Sequence, residues 1–405
     1  MASIGAVDFF KKSFPLLAFG LLFTLTSSFG QTFLLSLYVP SLEKLLDISN
    51  TGLGSIYATA TLCSAFILPW LGGYFDRMEI KRYVMMVLTG LTAALLLLSF
   101  SYSLVMVWLS ILGLRLFGQG LMSHTAVSTM ARYFTANRGK AIGAAILGHP
   151  AGEVIFPLLI TLLIGSIGWR MTLQFSALSV AALIMPLALY LLYQSRVRIR
   201  AYEINARSGQ GNGGVRPSLF QLMQERRFWI ISPLDFMMGF TNTALFFFQL
   251  KLGDARGWTP EWVAGSISAY ALAAHAGILV SGPLVDRFSG RRLYPFFIVP
   301  YLVGLGIIVA LHHPLAYPLG MMLIGLSNGS GSTIKNAMLA EVYGVDRIGL
   351  VRSAFTTLIV FSTGIGPVVF GILLDLGWSF SLVYFVTLLA LALVSVNATR
   401  RVSAS

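Results

Sequence analysis

Cysteine occurs once in 405 residues, as Cys63 inside an apolar stretch. That excludes a disulfide framework or a cysteine metal site within one chain. Charge is scarce as well: 11% of the residues are Asp, Glu, Lys or Arg, 56% are hydrophobic, and the mean hydropathy is +0.80. Soluble domains average about a quarter charged, so this chain cannot solvate its exterior in water, and its outer faces must meet lipid. Acid is the scarcer sign, with 15 Asp plus Glu against 28 Lys plus Arg. The five His stand at no metal-ligand spacing with one another or with the carboxylates. No nucleophile, base and orienting group stand at chemical spacing either. No cofactor, metal or enzymatic activity is expected.

Long apolar runs are abundant. They lie near residues 14–38, 53–75, 83–100, 104–130, 139–165 and 171–193, and again near 228–250, 261–285, 293–311, 316–340, 348–374 and 379–396. A crossing needs about 20 residues, so the pattern predicts an all-α membrane protein with twelve transmembrane helices in two pseudo-symmetric six-helix bundles. Lys11 and Lys12 precede the first run, but no small-residue cleavage site ends it, so it is read as a transmembrane helix and not a removable leader. Residues 194–227 are polar, basic and glycine-rich, too poor in apolar surface to fold alone. The predicted division is a first bundle over 1–193, a basic linker over 194–227 and a second bundle over 228–405.

With the termini and the linker placed on one side, 23 of the 28 cations fall there. Lys44, Arg170, Lys251 and Arg256 fall on the other, and Arg115 lies within the membrane. By the positive-inside bias the first side is cytoplasmic, most simply at a cell (inner) membrane. The cations are spread over loops between spans and not gathered on one soluble face, which excludes a nucleic-acid partner.

The two halves repeat. Gly72-Gly73-Tyr74-Phe75-Asp76-Arg77 is followed by Lys81 and Arg82, and Gly282-Pro283-Leu284-Val285-Asp286-Arg287 by Arg291 and Arg292, with the two Asp residues 210 apart. At an offset of 211, Phe29-Gly30-Gln31-Thr32 meets Phe240-Thr241-Asn242-Thr243, and Phe117-Gly118-Gln119-Gly120 meets Asn328-Gly329-Ser330-Gly331. Such internal repetition suggests a protein built as two copies of one membrane unit, with a charged hinge at the same place in each.

Ionisable groups in mid-membrane are functional candidates by default, because each costs several kcal/mol. Arg115 on the fourth span and Glu153 on the fifth reach similar depth. They are either a neutralising structural pair or, respectively, an anion contact and a proton carrier. Asp235 and Asn242 are two helical turns apart and share one face. Lys335 either pairs with Asp235 structurally or joins it in function. His149 and His275 are proton relays or packing residues. Gly139, Gly143, Gly148 and Gly152 suit close helix packing or bending.

With its six plus six helices, basic central loop and duplicated Asp-Arg hinge, the sequence resembles the major facilitator superfamily over essentially its whole length. The run Tyr133-Phe134, Arg138-Gly139-Lys140-Ala141, Gly148, Gly152, Pro157, Gly168-Trp169-Arg170 is loosely similar to the monocarboxylate and oxalate-formate branch. The first hinge has Glu79 and Ile80 where that family has Gly and Arg, and the second has one extra residue. The resemblance implies a secondary active transporter working by alternating access on a small-molecule substrate. The expected substrate is a small organic anion such as a monocarboxylate, moved with protons by a monomer. The resemblance further implies that Asp76, Arg77, Asp286 and Arg287 gate, and that helices one, four, seven and ten line the cavity, with Gln249 among its polar residues. Gln31, Arg115, Gln119, His124, Asn242, Asn328 and Lys335 are then the expected substrate contacts, with Glu153 and Asp235 coupling protons. The rival readings are a proton-coupled drug or metabolite exporter and, from another class, a non-transporting membrane receptor or scaffold.

Overall fold

The structure, a computed structural model, describes residues 6–134, 137–199, 222, 224–344 and 348–404. Most of the expected linker, residues 200–221 and 223, lies outside the described residues. The fold is all-α, with twelve membrane helices in two pseudo-symmetric sets of six, and no strand occurs among the described residues. The helices are α1 (Ala6–Thr26), α2 (Val39–Leu46), α3 (Asn50–Gly73), α4 (Ile80–Ser99), α5 (Leu104–Tyr133), α6 (Arg138–Ile167) and α7 (Trp169–Gln194). Then come α8 (Arg226–Phe247), α9 (Gln249–Ala255), α10 (Pro260–Phe288), α11 (Val299–Ala310), α12 (Ala316–Tyr343), α13 (Ile348–Asp375) and α14 (Phe380–Ala404). Ten stretches among the described residues are long and apolar enough to cross a membrane. Of the remaining two crossings, α11 has only 12 residues, and α12 carries Asn328, Lys335 and Glu341.

The duplication is visible in the backbone. Short α2 follows the first crossing, and short α9 follows the seventh. The turn into α7 is held by Gly168 at φ 80° and the turn into α14 by Gly377 at φ 85°, both in the left-handed region that favours glycine.

By packing, the chain forms two compact units. The first holds Met1–Leu35, Cys63–Phe156 and Leu162–Gly214, and the second holds Ser36–Leu62, Pro157–Thr161 and Val215–Ser405. In the first, α4 buries Val84, Val87, Leu88 and Leu91, the helical spacing of one apolar face, against α5 and α7. In the second, α10 and α12 pack along much of their length, α8 packs on α13, and α11 on α12. Segment Ser36–Leu62 belongs to this second unit, although it comes from the first half of the sequence.

Candidate functional site

In the first unit the polar interior begins with a break in the first crossing. Thr24, Thr26 and Ser27 hydroxyls bond back to the carbonyls of Leu21, Leu22 and Thr24 at 3.1, 2.8 and 2.6 Å. Such back-bonding competes with the helix and bends it. After Thr26 the chain tightens to a 3-10 turn, Ser27–Gly30, then extends at Gln31 (φ −80°, ψ 149°) before the short helix Thr32–Leu35. Opposite lies the stretch Leu114–Met122 of α5, which is wound as π-helix. A Cβ on Gly30 would stand 2.2 Å from the Leu114 carbonyl oxygen and 2.3 Å from the Gln119 nitrogen, so only glycine fits where these two backbones meet.

Arg115 is buried at this junction, 4% exposed. Its Nη1 donates to the Gly30 carbonyl at 3.2 Å and to Thr32 Oγ1 at 3.4 Å. A helix that ends in mid-membrane leaves carbonyls without intrahelical partners, and a guanidinium is well suited to satisfy them. Gln31 and Gln119 are half-buried on the same two elements. Glu153, half-buried on α6, forms no ion pair with Arg115 among the described residues. The side-by-side depth expected for the two residues therefore does not make them a salt bridge: the break in α1 offers the guanidinium a carbonyl instead. His149 Nδ1 stands 3.2 Å from Ser27 Oγ, which makes it part of the packing of this break. Gly148 and Gly152 seat α6 directly on the first crossing, whereas Gly139 and Gly143 face open space.

In the second unit, α8 and α12 carry a ladder of polar side chains. Asp235, 4% exposed, forms an ion pair with Lys335. Two turns away on each helix, Asn242 Oδ1 accepts from Asn328 Nδ2 at 3.3 Å and from the Tyr301 hydroxyl at 3.0 Å. The two rungs join antiparallel helices at matched spacing, so the face that Asp235 and Asn242 share is the one turned to α12. Phe297 supplies an aromatic ring 6.0 Å from Lys335 Nζ.

His124 is exposed and sits beside the first hinge, edge-on to Phe75 with ring centroids 5.9 Å apart. At that hinge Asp76 pairs with Arg132, which also donates to the Phe75 carbonyl at 3.2 Å and lies 4.1 Å over the Phe75 ring. Arg77 is exposed. The second hinge is built differently. Asp286 and Arg287 are exposed, and the loop is held by Glu341, whose carboxylate accepts from the Gly290 and Arg291 amides at 2.7 and 3.0 Å. The extra residue of this copy is absorbed by Ser289, at φ 72° and ψ 154°, a conformation that side chains rarely adopt.

Other polar residues, Gln249 alone among them expected at the cavity, also form a cluster in the second unit, at the face with few cations. The Asp375 carboxylate accepts from the Asn50 and Thr51 amides at 3.2 and 2.8 Å and from their side chains at 2.7 and 2.6 Å, and so caps the N-terminus of α3. Lys251 joins Glu43 and Asn50. Burial pushes the Glu43 carboxyl above its usual range, and Lys251 opposes the shift. Gln249 Nε2 donates to Ser36 Oγ at 2.7 Å, and both residues are fully buried. The hints of this cluster in the sequence are Gln249, expected to line the cavity, and Lys251, one of few cations on that face. Arg132 and Glu341 carry no sequence signal of their own, because each is one charge among several near the end of a helix.

The sequence profile of the Major Facilitator Superfamily matches residues 20–267 and 231–403. The chain is 25% identical over 251 residues to the MFS-type transporter dbaD of Emericella nidulans, covering 62% of this chain and 50% of that protein. It is 24% identical over 241 residues to the MFS transporter asaE of Aspergillus flavus, covering 57% and 50%. The chain thus spans about half the length of these curated relatives. Among solved structures, the nucleoside transporter NupG superposes with a TM-score of 0.74 at 14% identity, over 97% of this chain and 98% of that one. At that identity the likeness concerns the fold.

Proposed function

The chain belongs to the Major Facilitator Superfamily and is a multi-pass membrane transporter, and from that premise we propose that it moves a small organic anion, such as a monocarboxylate, by alternating access with proton coupling. The observation that carries the reading is the placement of Arg115. A buried guanidinium sits where one helix breaks and its neighbour is wound as π-helix, with Gln31 and Gln119 beside it. Interrupted helices at membrane depth are where transporters of several folds build their substrate sites, because irregular backbone is tolerated only around a protein-lined or watered cavity. A fixed, planar cation there suits a carboxylate, which it can bind with two parallel hydrogen bonds.

Proton movement is assigned to the carboxylates Glu153 and Asp235. Asp235 holds Lys335 while ionised and releases it on protonation, so a proton arriving at Asp235 changes what Lys335 can bind. Asp76, Arg77, Asp286 and Arg287 are assigned to the gate, together with Arg132, which pairs with Asp76, and Glu341, which holds the Gly290 and Arg291 amides. In this reading the termini are cytoplasmic, at the cell membrane, and the working unit is a monomer.

The test is uptake by the purified chain in proteoliposomes under an inward proton gradient, over a panel of monocarboxylates, dicarboxylates, nucleosides and cationic drugs. Carboxylate uptake that collapses on dissipating the gradient, and falls by at least about tenfold in Arg115→Ala, supports the reading. Unchanged transport in Arg115→Ala at normal membrane abundance would sink it. Proton-driven accumulation of drugs in everted vesicles would favour the exporter.

A further inference from the structure

In the first unit α6 is interrupted at Leu147, between the helical stretches Arg138–Ile146 and Gly148–Ile167. Pro150, in the first turn of the second stretch, has no N–H for the Ile146 carbonyl, so the helix loses a hydrogen bond there. The interruption lies against the first crossing near its break. Thr24 Oγ1 donates to the Ala145 carbonyl at 2.5 Å, and Gly148 and Gly152 leave no room for a side chain between the two helices. His149 stands on this seam.

The hydrogen bonds at the seam assign the form of the imidazole. Ser27 has one hydroxyl hydrogen and donates it to the Thr24 carbonyl at 2.6 Å. The longer contact, 3.2 Å between Ser27 Oγ and His149 Nδ1, then takes its hydrogen from the ring. Neutral His149 accordingly carries its proton on Nδ1 and a lone pair on Nε2. A second proton, arriving at Nε2, leaves the bond to Ser27 in place, because Nδ1 donates in both charge states. The ring can take up and release a proton without losing its anchor.

Glu153 is one helical turn further along the same stretch, which puts its Cβ about 5–6 Å from that of His149 on one face. Such a gap is closed by direct contact or by one water. Both residues are half-buried, and neither His149 Nε2 nor the Glu153 carboxylate has a hydrogen-bond partner among the described residues. The facing part of the first crossing, residues 21–30, holds no ionisable side chain. On α5, Arg115 is engaged by the Gly30 carbonyl and Thr32, while His124 and Arg132 stand at the first hinge. The other ionisable side chains of α6 are Arg138 and Lys140, at its cation-rich start. His149 lies between that end and Glu153.

We infer that His149 is a proton relay between Glu153 and the cytoplasmic face, with Ser27 as its positioning residue. The inference rests on the proton-coupled reading above and adds a step to it. The O–H bond of the protonated Glu153 carboxyl breaks as a bond to His149 Nε2 forms, leaving a carboxylate and an imidazolium. Nε2 then gives the proton to water on the cation-rich side, and the neutral ring returns. The turn that begins with Ser27 ends at Gly30, whose carbonyl holds Arg115, so the relay and the anion contact stand at the two ends of one turn.

Nitrogen NMR of the full chain with isotope-labelled histidine, in lipid nanodiscs, tests the anchor without a substrate. The His149 signal, identified by its loss in His149→Asn or His149→Gln, is expected to show Nδ1 protonated and Nε2 bare in the neutral ring. Ser27→Ala is expected to remove that preference. The opposite tautomer, or one that Ser27→Ala leaves unchanged, would overturn the anchor and the relay with it. In proteoliposomes, with lactate as the probe, His149→Asn keeps an N–H for Ser27 but has no base. It is expected to cut proton-driven accumulation at least about tenfold and to change lactate counterflow, which needs no net proton release, by less than about twofold. Equal losses in the two assays would make His149 a packing residue and overturn the relay. Unchanged accumulation in His149→Asn, with loss in Glu153→Gln, would overturn the relay and leave the proton-coupled reading standing. Wild-type lactate uptake that ignores the gradient would overturn both.

Discussion

The polar interiors of the two halves descend from one repeated unit, yet they solve the same problem in opposite ways. At the offset of 211 residues, Gly30 corresponds to Thr241 and the π-wound part of α5 to the middle of α12. In the first unit the backbone gives way: α1 breaks at Ser27–Gly30, α5 widens over Leu114–Met122, and a side chain is satisfied by a released carbonyl. In the second unit the helices stay regular. Thr241 bonds back to the Met237 carbonyl at 2.7 Å inside an unbroken α8, and polar side chains satisfy each other across to α12. An apolar solvent forbids unsatisfied groups but does not say whether backbone or side chain must supply the partner. Duplication frees each copy to choose, and the irregular copy is the one suited to hold a ligand, since a ligand can replace a carbonyl partner more easily than it can replace an ion pair.

Exchanging the paired residues tests this contrast hardest. Gly30→Thr puts a Cβ against backbone on two sides and is expected to cost more than about 4 kcal/mol, enough to abolish a monodisperse folded peak. Thr241→Gly, its mirror, should cost only about 1 kcal/mol by thermal unfolding. Comparable losses would mean that the two interiors are not built differently.

A smaller effect is expected at the ion pair. Asp235→Leu leaves Lys335 partly buried without its carboxylate and should lower stability by about 3 kcal/mol, while the double variant Asp235→Leu, Lys335→Met should recover most of that. Failure of the second substitution to rescue the first would show that the pair is not an isolated ladder rung.

The smallest effect concerns the hinges. Ser289→Gly relieves a left-handed residue and should raise stability by up to about 1 kcal/mol. Glu79→Gly, at an ordinary φ of −58° in the first hinge, should lower it by about half as much. A stabilising Glu79→Gly would remove the difference drawn between the two loops.

Much of the candidate site is legible in the amino-acid sequence. Asp235 and Lys335 stand out because charge is rare in apolar runs, and the seven-residue spacing of Asp235 and Asn242 is enough to put them on one face. The Asp-Arg hinges are legible for the same reason, though not their partners. Arg132 and Glu341 look like any other charge at a helix end until folding brings them to the hinge. The break in α1 is hinted at by its run of Thr and Ser, but the need for glycine at position 30 comes from the Leu114 carbonyl. Nothing local announces that Asp375 caps α3, because the two are more than 320 residues apart in the chain.

Composition and periodicity are enough to set the solvent, the number of crossings, the repeat and the charge asymmetry between faces, because these properties are local and additive along the chain. The partner of each polar group is settled only when the chain folds: Gly30 and not Glu153 for Arg115, Glu341 for the second hinge, Asp375 for the start of α3. Hydrogen bonds and ion pairs are short-ranged and directional, so their partners are set by a few ångströms of packing between distant segments, and no one-dimensional pattern records that distance.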